Sequence, residues 1–129
     1  MKKPKITVRV LKEDIGYSAN ALVGNNFIGT QGDTFNELKE MILDAVNLSF
    51  EDEGFTYNID EINFEYDLES FFAFYSLIDT NALSKRTGMK QSLLSQYING
   101  IKKPSRLQTK RILRGVQEIG RELSEVSLL

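Results

Sequence analysis

The sequence predicts an α+β protein in two parts, a βββαβ layer over residues 1–68 and an all-helical part over residues 69–129. Three observations carry this. Apolar and polar residues alternate over Lys5 to Leu11 and again over Glu61 to Leu68, the period of two that a half-buried strand requires. A capping signal at Thr34 opens a stretch with helical apolar spacing. After Ser70 the alternation does not return, and apolar residues cluster at helical intervals instead.

The first strand places Ile6, Val8 and Val10 on one face and Lys5, Thr7 and Arg9 on the other. After the turn Glu13-Asp14-Ile15-Gly16, Tyr17, Ala19 and Ala21 alternate with Ser18 and Asn20. Gly24-Asn25-Asn26 tolerates the positive φ of a tight connection, so Phe27 to Thr30 returns as a third, short strand. Thr34 followed three residues later by Glu37 is a capping box, in which each side chain satisfies a free backbone N–H. Behind it Leu38, Met41, Ile42, Ala45, Val46 and Leu48 or Ser49 keep helical spacing, and the helix is expected to end near Gly54. The fourth strand sets Ile62, Phe64, Tyr66 and Leu68 against an acidic face of Glu61, Asn63, Glu65 and Asp67.

Phe71, Phe72, Phe74, Tyr75, Leu77 and Ile78 are too densely apolar for a surface helix, which predicts a buried helix joining the two parts. Asp79 caps a helix over Thr80 to Arg86, Gly88 suits a left-handed turn, and the next helix runs from about Gln91 to Asn99. Gly100 and Pro104 stop it. A last helix from Arg106 to about Leu123 carries Ile112, Val116, Ile119 and Leu123 as an apolar stripe, a candidate dimer surface that packing within one chain explains nearly as well.

Composition narrows the chemistry. The chain of 129 residues is 41% hydrophobic, enough for a core, and has no apolar run near the roughly 20 residues that cross a bilayer. The opening MKKPKITVRV alternates in charge before an apolar signal core forms, which points to the cytoplasm and away from the membrane. With neither Cys nor His, the chain lacks disulfides, thiolate nucleophiles, the commonest general base and the commonest transition-metal ligand. Asp14, Asp33 and Asp44 have no spacing that demands a shared metal, Gly24 to Gly32 lacks the Gly-Lys-Ser/Thr of a phosphate loop, and Asp52 to Asn63 lacks the central Gly of a calcium loop. No enzyme activity, cofactor or metal is expected.

The overall formal charge of −2 hides a division. Residues 1–78 hold six Lys+Arg against fourteen Asp+Glu, and residues 79–129 hold ten against four, giving −8 and +6. Opposite fields on the two parts imply two kinds of partner, and the basic part is the one suited to phosphate. Within it, GMKQSLLSQYINGIKKPS from Gly88 to Ser105 has three lysines and no carboxylate.

Two short helices joined by a tight turn at a Gly, the second exposing short polar side chains, describe a helix-turn-helix. A helix entering a major groove must avoid carboxylates near phosphates, while Gln, Ser and Asn have the reach to hydrogen-bond base edges. From Leu83 to Ser105, LSKRTGMKQSLLSQYINGIKKPS resembles without a gap the phage-repressor type of helix-turn-helix, whose usual form is close to LAxxxGVSxxxISxxExGxxxPS. The match covers Leu83, Gly88, Met89, Leu94, Ser95, Asn99, Gly100, Pro104 and Ser105; Ser84 replaces the usual Ala and Ile98 the usual Glu. By position, the resemblance makes Lys90, Gln91, Ser92, Ser95 and Gln96 base-facing or groove-edge residues. It makes Thr80, Asn99, Lys102 and Lys103 phosphate contacts, with Arg106, Lys110, Arg111 and Arg114 continuing the basic patch.

The order of elements in the first part, the segment GTQGDTFNELKEMILDAVNLSFEDEG from Gly29 to Gly54, and the tail SQYINGIKKPSRLQTKRILRGVQEIGREL together resemble the HicB antitoxin family. That resemblance implies a partial RNase H-like first domain that blocks a small, basic, RNA-cleaving HicA-like toxin. It further implies a DNA-binding second domain that represses the operon, and a dimer or tetramer. ALVGNNFIG, from Ala21 to Gly29, departs from the Pro-containing loop of many members. No individual toxin-contact residue is assigned. The alternative is a stand-alone phage-type repressor whose first domain senses a ligand or oligomerises.

Overall fold

The alternation around Ile6, Val8 and Val10 becomes the central strand of a sheet in the computed structural model, which describes residues 2–129. β1 (Ile6–Lys12) buries those three side chains and leaves Thr7, Arg9 and Leu11 exposed. It pairs antiparallel with β2 (Tyr17–Val23), which pairs antiparallel with β3 (Asn26–Gly32); on its other side it pairs parallel with β4 (Ile62–Tyr66). The sheet is mixed, in the order β3-β2-β1-β4, and helices follow it.

The parallel pair requires a crossover, supplied by α1 (Phe35–Ser49). Thr34 Oγ1 accepts the Glu37 N–H at 3.2 Å, as the capping box predicts. The Glu37 carboxylate reaches back to the Asp33 N–H at 3.2 Å, one residue earlier than the pattern implies. Leu38, Ile42 and Val46 are fully buried against the sheet with Val8, Val10, Ala19, Ala21 and Ile28. Burying each such aliphatic side chain contributes about 1.5–3 kcal/mol. Met41, and both Leu48 and Ser49 at the last position of the expected stripe, instead face water. The helix also stops before Gly54: Phe50 turns into the core, Glu51–Glu53 form a 3-10 turn, and Gly54 closes it in the left-handed region with φ 77°.

A strap over residues 55–61 ties down the start of the chain. Asn47 exchanges two hydrogen bonds with the Tyr57 backbone at 2.7 and 3.2 Å, and the buried Tyr57 hydroxyl donates to the Pro4 carbonyl at 2.6 Å. Lys3 Nζ donates to the Thr56 carbonyl and to Glu61, 2.7 Å away. That hydrogen bond, helped by the Asn58 N–H, holds the Glu61 carboxyl below the usual carboxylate range.

The aromatic run after β4 behaves differently from the sequence expectation. A single buried helix from Phe71 to Ile78 does not form; α2 (Leu68–Phe74) is short, and the chain divides into two units between Phe74 and Tyr75 rather than between 68 and 69. Asp67 fixes where α2 begins. Its N–H donates to the Val10 carbonyl, one carboxylate oxygen accepts the Lys12 N–H at 3.0 Å, and the other accepts the Ser70 N–H at 2.9 Å. The start of α2 is thereby fastened to the end of β1. Phe72 is buried, and Phe74 stacks on Phe35 and packs on Tyr17 with centroids 4.7 and 4.5 Å away. Leu77, expected in the buried helix, is 76% exposed.

The second unit contains α3 (Thr80–Thr87), α4 (Gln91–Ile98) and α5 (Arg106–Ser124), with Leu83, Met89, Leu94, Tyr97 and Ile112 buried. At Gly115 of α5 a Cβ would stand 3.0 Å from both Leu83 Cδ1 and Thr87 Cγ2, so glycine allows α5 to lie close against α3. The stripe on α5 divides accordingly: Ile112 is buried, Val116 and Ile119 are half-buried, and Leu123 is exposed.

The Ser70 hydroxyl is buried and has no hydrogen-bond partner, so Ser70→Ala is expected to leave stability unchanged or raise it by up to about 1 kcal/mol. Asp67→Ala should lower it by about 1–3 kcal/mol, because two N–H groups lose their acceptor; urea denaturation of both variants measures the contrast. For the Lys3–Glu61 pair, a depressed carboxyl pKa means stability that is present above the ordinary carboxylate range and lost as pH falls through the folded value. Lys3→Met should move the Glu61 titration upward toward the ordinary range by NMR.

Candidate nucleic-acid interface

α3 begins at Asp79, whose carboxylate accepts the Asn81 N–H at 2.9 Å. Its last turn is held from two directions. Thr87 Oγ1 donates back to the Leu83 carbonyl and accepts the Met89 N–H, while Arg111 of α5 donates to the Thr87 carbonyl at 2.6 Å. Gly88 between them has φ 71°, the left-handed region that a side chain strains, and a Cβ there would sit 3.3 Å from Arg111 Nη2. The reversal points the apolar residues of α4 inward and its polar ones outward.

Four residues of α4 form its outer face. Gln91 with Ser95, and Ser92 with Gln96, stand four apart on one side of the helix and are all exposed, while Leu94 and Tyr97 are buried behind them. Lys90 occupies the N-cap position without a side-chain cap, leaving the positive end of the helix open beside an ammonium group. At the other end Gly100 turns the chain with φ 73°, and the Gln96 carbonyl accepts the N–H groups of Ile101 and Lys102 at 2.9 and 3.2 Å. Lys102 and Lys103 follow, exposed, and Ser105 caps α5 by accepting the Gln108 N–H at 3.2 Å, with Arg106 at the first helical position.

The structure therefore gathers Lys90, Gln91, Ser92, Ser95, Gln96, Asn99, Lys102, Lys103 and Arg106 along α4 and the turn after it. Asn99 is not simply a free donor, since its amide nitrogen lies 3.2 Å from Ser95 Oγ and orients that hydroxyl. Thr80 is half-buried at the start of α3, next to Asp79, whose carboxylate caps that helix. Arg111, placed with the basic patch by sequence, is spent on the Thr87 carbonyl. Arg86 forms a two-pronged pair with Glu122, which lowers the Glu122 carboxyl pKa and raises that of the guanidinium.

One signal in the sequence extends further than the Gly88 to Ser105 stretch. Residues 80–117 contain nine Lys and Arg and not a single Asp or Glu. With Arg86 and Arg111 committed inside the unit, Lys85, Lys90, Lys102, Lys103, Arg106, Lys110 and Arg114 remain exposed and without a carboxylate partner among the described residues. Exposed ammonium and guanidinium groups are the chemistry that neutralises phosphates in a sequence-blind way, and amides and hydroxyls the chemistry that hydrogen-bonds the edges of bases.

No group of three or more carboxylates that could hold a metal ion exists among the described residues, nor does any helix long and apolar enough to cross a membrane. The chain matches no protein-family model, no curated protein and no solved structure.

Gly88→Ala should cost about 1–2 kcal/mol, the penalty of placing a Cβ in the left-handed region; thermal denaturation followed by circular dichroism measures it.

Proposed function

We propose that this chain is a HicB-like antitoxin that represses its own operon. In this reading α3 and α4 are a helix-turn-helix, α4 lies in the major groove of operator DNA, and the first unit, a partial RNase H-like fold, occludes a small basic HicA-like toxin that cleaves mRNA. The observation that carries the DNA-binding half is the outer face of α4: Gln91, Ser92, Ser95 and Gln96 exposed together, with cations at both ends and no carboxylate between.

Each residue type has a defined task there. Gln91 and Gln96 carry amides able to pair with both the N6 and N7 edges of adenine, and Ser92 and Ser95 offer hydroxyls that serve either as donor or acceptor. Lys90, Lys102 and Lys103 meet the backbone and set register without carrying sequence information. Reading a few base pairs is strengthened when two copies engage half-sites about 34 Å apart, which implies a symmetric dimer or tetramer on the operator.

For the first unit, support comes from charge and from the resemblance. At −8 it attracts a basic protein and repels DNA, so the two tasks belong to separate units. Asp44 and Glu51 border an open groove of about 420 Å³ that also includes Leu48 and Phe55, acidic and apolar together. A second reading, a stand-alone repressor whose first unit oligomerises or senses a ligand, is favoured by one observation. Leu22 and Phe27 face each other across β2 and β3 and are 71% and 72% exposed, an apolar pair available to another copy. In both readings the chain performs no turnover.

Gln91→Ala or Gln96→Ala should reduce discrimination between sequences by roughly 1–3 kcal/mol, while Lys102→Ala and Lys103→Ala weaken binding to all sequences alike. Competition binding against a random duplex separates the two effects, and equal loss on every sequence from both kinds of variant would contradict this division of roles. Co-expression of residues 1–74 with a short basic protein encoded next to this chain should rescue growth. Continued killing in the presence of the folded fragment favours the stand-alone repressor.

A further inference from the structure

The first half of α5 carries charge of the wrong sign for its own stability, although Arg121 in the last turn is well placed. A helix favours carboxylates in its first turn and cations in its last. The first turn of α5 has no acid; Arg106, Lys110, Arg111 and Arg114 fill its first half, and Glu118 and Glu122 fall in the second. Arg106 with Lys110, and Lys110 with Arg114, are like charges four residues apart, an arrangement that destabilises a helix in the absence of a ligand.

The faces of α5 show where these charges go. Gln108 and Ile119 are half-buried, Ile112 and Gly115 are buried, and Gly115 approaches Leu83 and Thr87 of α3. Arg106, Lys110 and Arg114, spaced by four, fall on the opposite side of the helix by its 3.6-residue period, and all three are exposed. Arg121 continues the same strip. Arg111 is rotated away from it toward α3, and Glu122 turns to Arg86, so neither interrupts the strip nor neutralises it.

We propose that the ridge Arg106-Lys110-Arg114 is a binding site for the phosphates of a nucleic-acid backbone, a sequence-blind track distinct from the base-facing surface of α4. It rests on the reading of the second unit as DNA-binding and adds to it a second contact surface, joined to the first through Lys102 and Lys103. The ridge spans about 12 Å at the rise of an α-helix, and its three cations can each neutralise one phosphate of a nucleic-acid strand. Phosphates laid along it relieve the repulsion between its cations and the unfavourable placement at the positive end of the helix.

The test uses the full chain and fluorescence anisotropy with a random-sequence duplex and with a duplex selected from a random pool, over a series of NaCl concentrations. The triple variant Arg106→Gln, Lys110→Gln, Arg114→Gln should lower the slope of log K against log salt by roughly 2.7, at about 0.9 per phosphate contact, on both duplexes, and leave the preference between them unchanged. Gln91→Ala with Gln96→Ala should do the reverse, keeping the slope and losing the preference. Circular dichroism checks that the triple variant folds; if it does not, Lys110→Gln alone should lower the slope by about 0.9. A slope unchanged in a folded variant overturns the ridge while leaving base reading by α4 intact. Binding without sequence preference, with a slope that depends on the ridge, supports the ridge and overturns base reading. No binding to any duplex overturns both.

Discussion

The reversal at Gly88 is the constraint on which the second unit depends. A left-handed residue there turns α4 so that Leu94 and Tyr97 go inward and the Gln91, Ser92, Ser95 and Gln96 face goes outward. The turn survives because Arg111 supplies a donor for the Thr87 carbonyl that the end of α3 would otherwise leave unpaired. Gly115, where a Cβ would crowd Leu83 and Thr87, lets α5 lie close to α3 beside that contact.

The first unit is organised around β1, antiparallel to one neighbour and parallel to the other. Asp67 anchors that arrangement by bonding both ends of its peptide neighbourhood: β1 through Val10 and Lys12, and α2 through Ser70. A carboxylate that the alternation of β4 assigns to an acidic outer face is therefore structural. Enough acid remains on α1, the 3-10 turn and β4 to keep this unit strongly negative, while the second unit is positive. In the proposed reading, placing the two fields on separate units keeps a polyanion and a polycation from competing for one surface.

What could be read from the sequence was what local patterns encode. β1 and β4 follow from alternation, the start of α1 from Thr34 and Glu37, and α3, Gly88, α4 and α5 from caps and glycines, each within a residue or two of its observed bounds. Most of the outer face of α4 was legible for the same reason, since helical period and the absence of acid are properties of consecutive residues. Contacts between distant residues were not legible. The allegiance of Phe74 depends on Phe35 and Tyr17, and the role of Arg111 on the approach of α5. The charge pattern of α5 lay in plain view, but its significance depends on knowing which side of the helix packs on α3.

The most direct measurement of the central claim, that the outer face of α4 enters a duplex groove, is backbone and side-chain amide mapping by NMR of the isotope-labelled full chain with a duplex enriched from a random pool. The account predicts the largest changes at the Gln91 and Gln96 side-chain amides and at the backbone of residues 90–103. Failure of the pool to enrich, or changes confined to residues 1–74, would contradict it.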